Sequence, residues 1–221
     1  MPPESRFVPR FAAEPPQEGL PYGRWADTLR QELLAACLGL DADGEDIGEP
    51  GEIDWYPDRT YAGRTYVPAT IPTSEGYEIF GFVSFAEGDG GAPGDFAAHA
   101  DVTSETAERN PDWKLDLSDE VIGRWRGEQG NVADLTLVWG RPTGAGGAIV
   151  TGELAGLAVD QCALVEERFT LVAPDAYRGD YLDVKLFDSR GRELASESLY
   201  VDDEEDEEPA EGAASPEAPA A

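Results

Sequence analysis

Residues 77–86 read YEIFGFVSFA and predict a β-strand with apolar side chains on both faces. The apolar residues of one face are Tyr77, Ile79, Val83 and Phe85. The opposite face carries Phe80 and Phe82. A strand of this kind is stable where both faces are covered, so we expect it to lie centrally in a sheet or to offer one face to something else.

A helix is predicted upstream of this strand, over residues 24–38. Its apolar side chains recur at helical spacing: Trp25, Leu29, Leu33, Ala36, Cys37 and Leu40. Gly39 suits the left-handed conformation that ends many helices. The apolar stripe is wide enough to dock on a sheet, and we expect it to cover one face of the strand at 77–86.

Downstream, the chain continues as many short stretches of alternating polarity. Residues 95–103 alternate, with Phe96, Ala98, Ala100 and Val102 directed inward. Further short strands are expected at residues 64–67, 113–117 and 121–126, with a possible turn at 61–64. The clearest hairpin joins 181–187 to 192–200 through a turn at 188–191. Short strands at intervals of about 8–12 residues predict a mainly β fold, with an immunoglobulin-like β-sandwich in the C-terminal half preceded by a smaller β-rich module with one N-terminal α-helix.

Four segments follow from these patterns. Residues 1–22 contain six prolines and predict an extended Pro-rich arm. Residues 23–104 form the helix plus β-rich module, and residues 105–201 match the length of one immunoglobulin-like sandwich of about 100 residues. Residues 202–221 are acidic and then rich in Pro and Ala, which predicts a disordered acidic tail.

Charge limits the partners of this chain. The formal net charge is −30 over 221 residues; nine of the 46 acids lie after residue 201, which leaves 37 against 16 Lys and Arg, a net −21 for the rest. Such a surface repels phosphate backbones and anionic membranes, so we expect neither nucleic acid nor membrane as a partner. Solubility alone explains an acidic exterior, and docking to a basic partner or mimicry of DNA are the alternatives.

The compartment is expected to be the cytoplasm. Cys37 and Cys162 lie far apart among apolar neighbours and are interpreted as buried free thiols. Residues 1–10 lack the apolar stretch of about 7–15 residues that a secretory signal needs. No run approaches the 18 or so apolar residues of a membrane span.

A weak calcium candidate lies in residues 41–52. Oxygen-bearing side chains occur at loop positions 1, 3, 5, 9 and 12 of a calcium-binding pattern: Asp41, Asp43, Glu45, Glu49 and Glu52. The pattern requires Gly at position 6, where this chain has Asp46, and a helix afterwards, which Pro50 opposes. An acidic surface loop is therefore the preferred interpretation, and no cofactor is expected.

His99, the single histidine, shares the polar face of its strand with Asp101. Such a pair could orient an imidazole for base catalysis, but no G-x-S-x-G nucleophile motif accompanies it. A hydrogen-bonded surface histidine is the preferred interpretation. Acids occur throughout the chain, so no pair of carboxylates stands out for hydrolysis.

The functional hypothesis is a non-catalytic binding or accessory protein, such as a subunit of a larger assembly. Its expected interface residues are Phe7, Phe11, Phe80 and Phe82, and its partner is a protein with a basic or apolar surface. The alternatives are a carboxylate-based hydrolase, or a calcium- or carbohydrate-binding module in which exposed aromatic side chains stack on sugar rings.

Overall fold

In the computed structural model, which describes residues 25–40, 42, 44–88, 92–127 and 130–199, the strand predicted at 77–86 lies inside an antiparallel sheet. This first sheet has the order β1-β3-β4-β5, and β2 also pairs with β3. Its strands are β1 (Asp54–Trp55), β2 (Arg59–Tyr61), β3 (Arg64–Pro72), β4 (Glu78–Glu87) and β5 (Pro93–Thr103). The fold is mainly β, as predicted. The predicted arm at 1–22 and tail at 202–221 lie outside the described residues.

The helix α1 (Ala26–Cys37) covers one face of the first sheet. Leu29 and Leu33 are buried there against Ile79 and Val83 of β4. The inward residues predicted for β5 pack against the same cluster. The expectation that this helix covers one face of the strand is therefore confirmed.

Two further sheets contain the remaining strands. The middle sheet has the order β10-β7-β6, and the outer sheet has the order β12-β11-β8-β9; every pairing is antiparallel. The strands are β6 (Leu115–Arg126), β7 (Val132–Pro142), β8 (Ile149–Leu154), β9 (Leu157–Ala163), β10 (Phe169–Asp175), β11 (Leu182–Phe187) and β12 (Glu193–Ser198). The predicted hairpin forms as β11 and β12, and in its turn Oδ1 of Asp188 accepts hydrogen bonds from the amides of Arg190 and Arg192.

The middle sheet is buried on both faces. One face meets the outer sheet in a core that includes Val138, Phe169 and Leu171. The other face contributes Leu135, Leu137 and Trp139 to a second cluster, against which Phe80 and Phe82 of the first sheet pack. The layers therefore run helix, first sheet, middle sheet, outer sheet.

Two strands differ in length from their predictions. Residues 113–117 and 121–126 were expected as separate strands, but β6 is continuous because Ser118, Asp119 and Glu120 lie on a sheet-edge strand and stay in the ladder with β7. β3 runs on to Pro72 instead of ending at Val67. Pro68 has no amide proton, and its carbonyl accepts a hydrogen bond from Tyr56, so the proline lies at the gap between β1 and β2.

Candidate functional site

Charged side chains from four strands, joined by Tyr56 and Arg168 from the adjoining loops, meet where the first sheet joins the middle sheet. We name this group the polar seam; it consists of Asp54, Tyr56, Glu78, Asp116, Arg141 and Arg168. Asp116 and Arg141 are direct cross-strand partners of β6 and β7. Glu78 begins β4, and Asp54 begins β1. Strand pairing, and not closeness in sequence, therefore assembles the group.

Two arginines hold the acids of the polar seam. Nε of Arg141 donates to Oδ2 of Asp116 at 3.1 Å, and Nη1 of Arg141 lies 3.8 Å from Oδ2 of Asp54. Nη2 of Arg168 donates to the other oxygen of Asp54 at 2.8 Å. The Arg168 guanidinium also lies over the ring of Tyr56 at 5.9 Å and donates to the carbonyl of Trp55. Asp54 thus links both arginines and ties the first sheet to the middle one.

Glu78 is the titratable group of the polar seam that suits proton transfer. The pKa of its carboxyl is raised to about 7, first by burial and then by the negative charges of Asp116 and Asp54, while Arg141 opposes the shift. Burial likewise raises the pKa of Tyr56 to about 12, and its hydroxyl lies 3.4 Å from Oγ1 of Thr70. A carboxyl that titrates near neutral pH can act as a general acid or base when a reacting group lies within hydrogen-bond reach.

A small cavity opens beside Glu78. Its volume is about 80 Å³, and its lining residues are Pro72, Thr73, Gly76, Tyr77, Glu78, Thr106, Ala107, Glu108, Asp116 and Arg141. Sites for drug-sized ligands typically enclose about 300–1,000 Å³. The cavity therefore has room for a few water molecules or the head of one side chain, and not for a sugar or a nucleotide.

His99 projects from β5 toward the middle sheet. Its Nε2 lies 2.8 Å from Oε1 of Glu120, and its ring lies 6.0 Å from the ring of Phe82. The prediction of a hydrogen-bonded surface histidine is confirmed, although its partner is Glu120 on β6 and not the neighbouring Asp101. A carboxylate and an aromatic ring position the imidazole.

The four predicted interface phenylalanines fall into two groups. Phe80 and Phe82 are partly buried: the Phe80 ring lies 6.4 Å from that of Trp139, and the Phe82 ring lies 5.6 Å from that of Tyr66. Both pack against the middle sheet within the chain while part of their surface stays accessible. Phe7 and Phe11 lie outside the described residues, so a role for the four in an interface stays a prediction.

The weak calcium candidate is only partly described, because Asp41 and Asp43 lie outside the described residues. Glu45 accepts a hydrogen bond from the hydroxyl of Tyr77, and the amide of Glu49 donates to Oγ of Ser74. Glu52 is exposed. Where the chain is described, no three His, Cys, Asp or Glu side chains are grouped to hold a metal ion.

A buried ion pair lies at another point of the junction. Nη2 of Arg59, on β2, donates to Oδ2 of Asp160, on β9, at 2.5 Å, and the Arg59 side chain is 1% exposed. The same Asp160 oxygen accepts from the amide of Val172 on β10 at 2.9 Å. Burial raises the pKa of Asp160, and Arg59 opposes that shift. This contact ties all three sheets together.

Sequence reasoning identified neither the polar seam nor the buried pair. Arg59 and Asp160 are 101 positions apart, and in a chain with 46 acids no spacing distinguishes either site. Arg59 itself was one sign of the buried pair, because it lies in a short stretch between the aromatic residues Tyr56 and Tyr61. A sign of the polar seam was Glu78, a lone carboxylate inside the most apolar strand.

Both cysteines are free thiols. Cys162 is buried, whereas Cys37 at the end of α1 is half-buried. Burial raises the pKa of the Cys162 thiol to about 12, so it stays protonated and unreactive in the folded protein. The prediction of free thiols is confirmed, and that of complete burial holds for Cys162 alone.

No known protein family, curated protein or solved structure matches this chain. Within the described residues, no helix has the length and apolar character needed to cross a membrane.

Proposed function

We propose that this protein is a non-catalytic binding or accessory protein that recognises a protein partner with a basic surface. It would act in the cytoplasm as a subunit of a larger assembly. The observation that carries the proposal is that many of the chain's arginine and lysine side chains form ion pairs within the chain. Seven arginine and lysine side chains of the described part pair with carboxylates of the chain itself: Arg59, Arg64, Arg124, Arg141, Arg168, Lys185 and Arg192.

This internal pairing leaves the exterior with an excess of carboxylates. Residues 1–201 carry 37 acids against 16 Lys and Arg, a net −21, so most of the acids have no cation of the chain with which to pair. An acidic surface accelerates association with a basic partner and rejects acidic ones. A sheet-based body tied by buried polar contacts supplies a rigid platform for such a surface.

We also propose that residues 105–201 form an immunoglobulin-like sandwich. Strand order supports this: the first, second and fifth strands of this segment make the middle sheet, and the third, fourth, sixth and seventh make the outer sheet. Immunoglobulin-like sandwiches place strands A, B and E opposite C, F and G in the same way, and the fourth strand here joins the C-F-G side, as C′ does in variable-type domains. Immunoglobulin-like domains commonly serve recognition, although a fold alone does not define a function.

Native purification tests the binding proposal. The chain, tagged at one end in its own cells, is purified at low salt and examined by size-exclusion chromatography with light scattering. We expect a stoichiometric complex with a basic protein that dissociates near 0.5 M NaCl, because charge contacts are screened there. A strict monomer with no co-purifying protein would refute the proposal.

A carboxylate-based hydrolase is the second candidate, favoured by the Glu78 carboxyl beside its cavity. A pKa near 7 suits a general acid, and Asp116 would be the second carboxylate. Small chromogenic acetate esters, whose acyl group the cavity can hold, offered to the wild type and to Glu78→Gln test this candidate. Turnover by the wild type that Glu78→Gln abolishes would replace the binding proposal, and equal background rates would remove the hydrolase.

A further inference from the structure

The outer edge of β5 carries the inference that the structure supports furthest. β5 is the last strand of the first sheet, and in the described part of the chain no strand pairs with its outer side. Unpaired edges are templates for a strand from another chain, and most proteins blunt them with prolines, bulges or charges. Which backbone groups of β5 are open therefore determines what can bind there.

The pairing with β4 shows which amides point outward. A Cβ placed on Gly81 would lie 2.1 Å from the His99 carbonyl oxygen, and the Ala97 carbonyl accepts from Oγ of Ser84, so residues 97 and 99 direct their backbone groups toward β4. In an antiparallel strand the direction alternates from residue to residue. Ala98, Ala100 and Val102 therefore direct their amide and carbonyl groups away from the sheet.

The stretch of outward-facing backbone groups on β5 is interrupted at both ends. Asp95 has a φ of 53°, beside the register shift between Ser84 and Ala86, and this irregularity interrupts the strand. At the other end, the amide of Val102 donates to Oδ1 of Asp101 at 2.7 Å. Ala98 and Ala100 remain between them, with two amides and two carbonyls that face outward.

The two faces beside this edge differ in chemistry. Ala98 and Ala100 lie on the apolar side beneath α1. Ala97, His99 and Asp101 are exposed on the opposite side, where Glu120 meets His99. An added strand would therefore place alternate side chains against an apolar surface and against an acidic one.

We propose that residues 97–101 bind an extended segment of a basic partner protein by β-strand addition, with apolar and basic residues alternating along that segment. Its apolar residues pack beside α1, and its lysines or arginines face Asp101 and Glu120. A second copy of this chain is not the occupant, because two bodies that each carry −21 repel each other. The inference rests on the proposed function and names the surface that performs it.

Room exists at the end of the edge for one further side chain. A groove of about 320 Å³ is lined by Ala42, Glu45, Ile47, Tyr77, Asp101, Val102 and Ser104. Its two acids, Glu45 and Asp101, would face a basic side chain of the partner beyond the last pair of backbone hydrogen bonds. The added strand therefore ends at a second acidic contact.

The test uses the full chain and the acetylated, amidated heptapeptide Val-Lys-Val-Lys-Val-Lys-Val. Residue-resolved hydrogen exchange should show the Ala98 and Ala100 amides exchanging fast in the free protein and at least tenfold slower with peptide bound. Those of Ala97 and His99 should be slow in both states. Slow exchange of Ala98 and Ala100 without peptide, or no slowing with it, would overturn the inference.

Two methylated versions of this peptide are matched controls of equal charge. One carries N-methyl groups on its valines and the other on its lysines, so each loses the amide donors of one edge only. We expect one version to bind at least tenfold more weakly than the other, which also reports the strand direction. Equal binding by both would mean that charge alone attracts the peptide and would overturn strand addition.

Ala100→Pro connects the edge to the native partner. Proline at this position removes an outward donor and leaves the bonds to β4 in place. A native partner that co-purifies with the wild type and is lost from this variant supports the inference. A partner kept equally by both leaves the proposed function intact and overturns the edge site, whereas a monomeric wild type refutes the proposed function itself. Should the variant fail to fold, the exchange experiment on the unmutated chain still decides.

Discussion

Arg59 and Asp160 form an ion pair that is buried between the first sheet and the outer sheet, with 2.5 Å between Nη2 and Oδ2. Nε and Nη1 of Arg59 are also buried and have no hydrogen-bond partner in the described part of the chain. Asp160 is therefore the acid that compensates this cation. Buried pairs of this kind hold parts in place, and removing one partner leaves a charge without compensation.

Asp160→Asn should accordingly destabilise the protein by about 3–5 kcal/mol. Chemical denaturation at neutral pH measures this change. Arg192→Ala is the matched control, because it removes an exposed ion pair with Asp188 and should cost less than about 1 kcal/mol. The double change Arg59→Met with Asp160→Leu should recover part of the loss. Equal effects of Asp160→Asn and Arg192→Ala would show that the buried pair contributes nothing special.

Glu78 should make stability fall as pH rises toward neutrality. Its folded-state pKa of about 7 exceeds the value of about 4.3 for an unfolded glutamate, so the unfolded chain releases its proton first. The penalty begins near pH 4.5 and is complete above pH 7. Because Glu78 is only partly buried, we expect on the order of 1–2 kcal/mol.

Glu78→Gln removes this penalty. Thermal melts should show the variant more stable than the wild type at pH 8 and similar to it at pH 4.5. Glu193→Gln, which alters an exposed glutamate of β12, is the control and should give no pH-dependent difference. A constant gap between Glu78→Gln and the wild type across this range would contradict the raised pKa.

Gly81 permits the close approach of β5 to β4. An added Cβ would meet the His99 carbonyl oxygen at 2.1 Å and Cα of Ala100 at 2.8 Å, so the strands must shift. Gly81→Ala should cost about 1–3 kcal/mol, the usual range for overpacking. Gly94→Ala is the matched control, because no atom lies within 4 Å of its added Cβ. The free energies of unfolding of the two variants, measured by denaturant titration, should differ in that order; a reversed order would disprove the packing argument.

Salt should stabilise this protein. Self-repulsion at a net −21 acts over long distances at low ionic strength and is screened within about 8 Å near 0.15 M. Melts in 20 mM and 500 mM NaCl should show a midpoint several degrees higher at the higher concentration. A midpoint that stays the same or falls would mean that the internal ion pairs, which salt weakens, outweigh surface repulsion.

The periodic spacing of apolar residues predicted most of the strands, because burying one face of an element requires that spacing. The alternation at Phe96, Ala98, Ala100 and Val102 and the stripe of Leu29 and Leu33 both follow from one apolar cluster beneath α1. The tight turn between β2 and β3 could also be predicted, because Gly63 suits a positive φ. In the structure Ala62 and Gly63 adopt φ values of 51° and 79°. Patterns of this kind are local and need no knowledge of the partner strand.

The polar contacts could not be read in the same way. Asp54, Asp116 and Arg141 come together because the ends of three strands meet at one junction. The alternation of polar and apolar residues along a strand does not show which strands will be neighbours. Asp160 follows Val159 in a strand with no unusual residue pattern, and no neighbouring residue indicates that Asp160 pairs with Arg59. A strand also continues through polar residues at a sheet edge, which is why β6 was expected in two pieces.

The middle sheet joins the first sheet to the outer sheet through the strand β7. Val138 and Trp139 are neighbours along β7, yet one side chain belongs to the interior shared with the outer sheet and the other to the interior shared with the first sheet. A force applied to the first sheet is therefore transmitted through the backbone of β7 to the outer sheet, and a force on the outer sheet is transmitted to the first sheet. The two halves of the chain resist force together, and heat should take them apart in one cooperative step.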